Sequence, residues 1–76
     1  MPNLAETNIG KVNANRIGRD QRNCEIRISF TNSEGGQVVI RTVDVSGRVT
    51  MAAKMDFEKA SEFNALLARA ADRIRN

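Results

Sequence analysis

A chain of 76 residues with a net charge of +3 has room for one domain, and at this length folding buries only about 60% of the unfolded surface, so the core must be thin. Histidine is absent and there is one cysteine, which removes the commonest general acid/base, leaves no credible zinc set and rules out an internal disulfide. No apolar run approaches the ~18 residues a membrane span requires, and the opening Met-Pro-Asn-Leu-Ala-Glu lacks the basic and apolar regions of a secretion signal; the expectation is a cytoplasmic protein without membrane contact.

Residues 1–7 carry no period and read as a flexible N-terminal tail, followed by a single α+β domain over 8–76. Ile9 to Ile17 reads as a first strand, with Val12 and Ala14 alternating against Lys11, Asn13 and Asn15. A polar connection follows, from Gly18 to Asn23, and it is the most basic loop of the chain. Cys24 to Thr31 has the clearest alternation: Cys24, Ile26, Ile28 and Phe30 point to one face, Glu25, Arg27, Ser29 and Thr31 to the other. Cys24 therefore reads as a buried small hydrophobe rather than a reactive thiol. Asn32-Ser33-Glu34-Gly35-Gly36 has the glycines of a hairpin turn, so the next strand should return antiparallel.

Gln37 to Val45 places Val38 and Ile40 on one parity and Val39, Val43 and Val45 on the other. A two-residue turn at Ser46-Gly47 sets Val43 opposite Thr50, Thr42 opposite Met51 and Ile40 opposite Ala53. Val49, Met51, Ala53 and Met55 then join the core face, and Val39, Val43 and Val45 lie on the reverse face among Arg41, Arg48 and Lys54. A β-bulge near Arg41 is the alternative, and it would bury Val43 and Val45.

From Asp56 to Ile74 the apolar residues Phe57, Ala60, Phe63, Leu67, Ala70 and Ile74 recur at steps of three and four, the period of an α-helix. Leu66 and Ala71 widen this stripe. Asp56 fits the N-cap, and Arg69, Arg73 and Arg75 suit the exposed carbonyls at the far end. The predicted fold is α+β: a three- to four-stranded antiparallel meander sheet with one C-terminal helix packed on one face, in the order β-β-β-β-α. Burial of Phe57, Phe63, Leu67 and Ile74 would contribute about 6–12 kcal/mol before ordering entropy is subtracted.

Functional signals are electrostatic. Within residues 11–27, Lys11, Arg16, Arg19, Arg22 and Arg27 outnumber Asp20 and Glu25, whereas the charges of residues 56–76 cancel. With Arg41, Arg48 and Lys54 these residues form a candidate surface for nucleic acid or an acidic protein, read through guanidinium forks and point charges on phosphates. Val39, Val43 and Val45 with their basic rim are the candidate protein interface. Glycine-rich phosphate loops, paired catalytic cysteines and metal-ligand spacings are missing. The expectation is a non-enzymatic binding protein without cofactor, metal or small-molecule substrate, and a homodimer. The alternative is a stoichiometric protein-binding module or inhibitor, of the kind phages and other mobile elements use to block a host complex.

Four antiparallel strands followed by one helix, over roughly residues 9–75, resembles the order of the transcriptional-coactivator and whirly-type single-stranded-DNA-binding domains. The resemblance implies a sheet that meets nucleic acid and helices that help dimerise. Sheet-based binders stack bases on aromatics, yet the three phenylalanines here are assigned to the core. Arg27, Arg41 and Arg48 would then act by charge and guanidinium stacking.

Overall fold

The computed structural model describes residues 6–17 and 23–75. Four strands, β1 (Glu6–Asn15), β2 (Asn23–Thr31), β3 (Gln37–Asp44) and β4 (Val49–Met55), precede one helix, α1 (Phe57–Arg75). The strands lie in one antiparallel sheet in the order β1-β2-β3-β4. This is the expected β-β-β-β-α arrangement. Strand β1 begins earlier than the alternation suggests: Glu6 pairs with Thr31 and Thr7 with Phe30, so these two residues belong to the sheet rather than to the predicted tail. A register shift between Asn8 and Gly10 carries the pairing past Ile9.

The expected pairs Thr42 with Met51 and Ile40 with Ala53 are present. The turn after β3 differs. Asp44 N–H donates to the Arg48 carbonyl at 3.0 Å, which leaves the three residues Val45, Ser46 and Gly47 in the loop instead of two. One oxygen of the Asp44 side chain accepts from Ser46 N–H, Ser46 Oγ and Arg48 N–H, at 3.0, 2.6 and 3.0 Å. Gly47 takes φ +89°, a left-handed conformation that a side chain disfavours. The longer loop shifts the register between Thr42 and Val43, so Val43 faces Val49 rather than Thr50.

These pairings define two faces. One carries Cys24, Ile26, Ile28, Phe30, Val38, Ile40, Met51, Ala53 and Met55; the other carries Glu25, Arg27, Ser29, Thr31, Val39, Arg41, Val43 and Lys54. Burial does not follow that division. The buried apolar residues are Cys24 and Ile40 on the first face and Val39 and Val43 on the second.

Helix α1 starts where Asp56 predicts: its carboxylate accepts from Lys59 N–H at 2.9 Å and its carbonyl from Ala60 N–H at 2.9 Å. Arg73 and Arg75 occupy the last turn, as the helix dipole favours. Asp56→Ala is expected to lower unfolding free energy by about 1 kcal/mol, read as a shift in urea midpoint at constant slope. The helix meets the sheet chiefly at β3 and β4, and Phe57, Ala60 and Asn64 line an open groove with Phe30 and Val38. The expected cover over the inner face is partial. None of the helix residues is buried, and Phe57 and Ile74 are 82% and 88% exposed. The alternation and the helical period are therefore both realised, but the single chain leaves their two apolar surfaces largely unmatched.

Candidate nucleic-acid interface

The second sheet face gathers one cation from every strand. Register sets Lys11 of β1 opposite Arg27 of β2, and Arg27 opposite Arg41 of β3. Lys54 of β4 stands opposite Val39, two residues along β3 from Arg41. Adjacent strands lie about 4.8 Å apart, so Lys11, Arg27 and Arg41 form a row about 10 Å long. Like charges directly opposite one another destabilise a sheet, and a row of three requires either internal carboxylates or an external anion.

The free chain uses carboxylates. Lys11 Nζ donates to Glu25 Oε2 at 3.1 Å, and Arg27 Nε donates to Glu25 Oε1 at 3.0 Å. Arg41 Nη1 and Nη2 donate to the two oxygens of Glu6, both at 2.8 Å, and Ser29 Oγ donates to Glu6 Oε1 at 3.1 Å. Lys54 Nζ stands 3.7 Å from Glu34. The Arg41 fork holds the Glu6 carboxyl below its usual range against the opposing effect of burial, and Ser29 adds to the shift. Lys11 and then Arg27 lower the Glu25 carboxyl in the same way. Both carboxylates therefore stay ionised and paired at neutral pH; the pairs weaken only as pH falls through these lowered values.

Below the charged row lie two of the three candidate interface valines. Val39 is 8% exposed, in a hollow it shares with Glu6, Arg41 and Lys54. Val43 is 3% exposed, among Glu25, Arg27 and Val49. They stand on the predicted face but are already enclosed within the single chain, so they are not available as interface anchors. Glu6, Arg41 and Lys54 line the hollow at Val39, and Glu25 and Arg27 the one at Val43, neighbours that alternation alone does not reveal. Val45, in the turn, remains 61% exposed.

The other predicted basic residues that the structure describes stand outside this row. Arg48 lies at the β3–β4 turn beside Asp44, whose carboxyl is lowered chiefly by the Ser46 hydroxyl and then by the Arg48 N–H. Arg16 follows the end of β1, and Arg19 and Arg22 lie outside the described residues. Glu6 and Ser29 were not among the candidates. Glu6 fell in the apparent tail, and nothing in the local sequence links it to Arg41, 35 positions away. That Glu25 and Arg27 share a face was legible, because they stand two apart on a strand; their ion pair comes from the structure.

Among the described residues no group of three or more histidine, cysteine, aspartate or glutamate side chains could hold a metal, and no helix is long and apolar enough to cross a membrane. Comparison with protein-family models, curated proteins and solved structures returned no match. What can be said of function rests on the geometry of the site.

Proposed function

We propose that this chain is a small, non-enzymatic, nucleic-acid-binding domain that acts as a homodimer and holds the phosphate backbone on the Lys11, Arg27, Arg41 and Lys54 face. The observation that carries this reading is the row of opposed cations across β1, β2 and β3. In the free chain Glu25 and Glu6 offset these charges, and a polyanion laid along the row would meet the same cations with anions at matching intervals. Phosphodiesters supply anions at regular intervals along a flexible chain, and guanidinium forks match their paired oxygens. No aromatic side chain stands in the row, so base stacking contributes little and sequence preference is expected to be weak.

The homodimer is supported by surface that the single chain leaves open. On α1, Phe63, Leu66 and Leu67 are 46%, 56% and 59% exposed on the predicted stripe. The helix replaces the valines as the proposed contact between copies. The same stripe favours a second reading, a module that binds another protein; a monomer at micromolar concentration would favour it.

The test is fluorescence anisotropy with a labelled single-stranded 20-mer, and a duplex of the same length for comparison. Four phosphate contacts predict an affinity loss of about 50-fold between 50 and 200 mM salt. Undetectable binding at 50 mM, or binding insensitive to salt, would overturn the nucleic-acid reading.

A further inference from the structure

We infer that Arg41 and Ser29 form a phosphate subsite that the Glu6 carboxylate occupies in the free protein, and that an incoming phosphodiester displaces Glu6. This rests on the nucleic-acid reading and adds to it a specific site and an exchange. The geometry is that of an anion site with an anion already in it. Two parallel bonds of 2.8 Å from one guanidinium to two oxygens on one centre are the arrangement that carboxylate and phosphodiester share. Ser29 supplies a third donor. Its residue is only 7% exposed, so the hydroxyl cannot simply turn to bulk water, and the loss of Glu6 leaves it in need of another acceptor.

Displacement is a local event. Glu6 is the first residue of an edge strand, beyond the register shift at Asn8 and Gly10, where only three pairs join β1 to β2. Its carboxylate can leave by rotation of its own side chain, without breaking the remainder of the ladder. The exchange replaces one anion by another on the same fork, so the electrostatic change at Arg41 is small, and counterion release from the polyanion favours the incoming group. The ordinary structural role, a tie between β1 and β3 across β2, makes the opposite prediction: loss of Glu6 would lower stability and leave affinity no higher.

The experiment measures binding of a fluorescein-labelled oligothymidylate 20-mer at 100 mM salt. Glu6→Gln is expected to tighten binding about 5-fold, well beyond the gain from Glu58→Gln, which removes the same charge from the exposed helix surface. Glu6→Asp keeps the charge but is one methylene too short to fill the fork, and is also expected to bind more tightly than wild type. In an Arg41→Ala background the advantage of Glu6→Gln over Glu58→Gln should vanish. Wild-type protein gives a readout independent of any variant: at saturation with oligonucleotide, the Glu6 side-chain carboxyl 13C resonance should move toward the position of free glutamate. An unmoved resonance, or Glu6 variants no tighter than their controls, overturns displacement. If these fail while Arg41→Ala still weakens binding, the phosphate-binding face stands without the exchange; if wild type does not bind, both fall.

Discussion

Arg27→Ala combined with Arg41→Ala is expected to weaken oligonucleotide binding about 100-fold at 50 mM salt. Two charge-assisted contacts, each worth about tenfold, are lost together. The magnitude of the slope of log affinity against log salt should fall by about 1.4, at 0.7 for each single-strand phosphate contact. The effect exceeds that of removing two solvated arginines, because Glu6 loses its guanidinium partner and Glu25 keeps only Lys11, so both present more negative charge to the bound strand. Arg69→Ala with Arg73→Ala is the control, since both residues lie on α1 away from the row. Equal losses in the two double variants would mean that only net charge matters, and the face would lose its special role.

The second large effect is expected on assembly. Phe57, Phe63, Leu66, Leu67 and Ile74 remain 46–88% exposed on the single chain, and their burial represents about 5–10 kcal/mol of transfer free energy per subunit. Two subunits together bring enough to offset the roughly 4–15 kcal/mol that association costs. Wild-type protein is expected to sediment as a dimer, at twice the 8.4 kDa of one chain. Leu67→Glu places a charge in the middle of the stripe and should shift the equilibrium to monomer at micromolar concentration, with a dissociation constant raised at least 100-fold. The thin sheet core should then melt earlier as well, because a subunit that relies on its partner is less stable alone. A Leu67→Glu protein that remains dimeric would exclude the helix as the contact. Val43→Glu is a different case. That side chain is 3% exposed within the subunit, so an uncompensated charge there should damage folding itself rather than reveal an interface.

The two proposed contacts lie on separate surfaces, so mutation can test each without the other. The charged row belongs to the sheet face that carries Val39 and Val43, whereas the helix lines a groove with Phe30 and Val38 on the other face. A contact between copies through α1 therefore need not cover Lys11, Arg27 or Arg41.

The sequence by itself determined the local elements. Alternation specified the clearest strand from Cys24, the step of three and four specified the helix from Phe57, and the Asp56 cap fixed where that helix begins, since each depends on residues a few positions apart. It also determined that Glu25 and Arg27 share a face and that Cys24 belongs to the core. Only the tertiary structure decided what stands across from each side chain. Parity assigns Val39 and Val43 to a face but is silent on whether that part of the face is buried. The carboxylate of Asp44 organises a three-residue turn where a two-residue turn was expected, and so moves Val43 onto Val49. The union of Glu6 with Arg41 spans 35 positions and exists because β2 sets the distance between β1 and β3. Periodicity carries information along a strand, whereas contact between distant strands comes from register, and register depends on turns, bulges and the packing of the whole sheet.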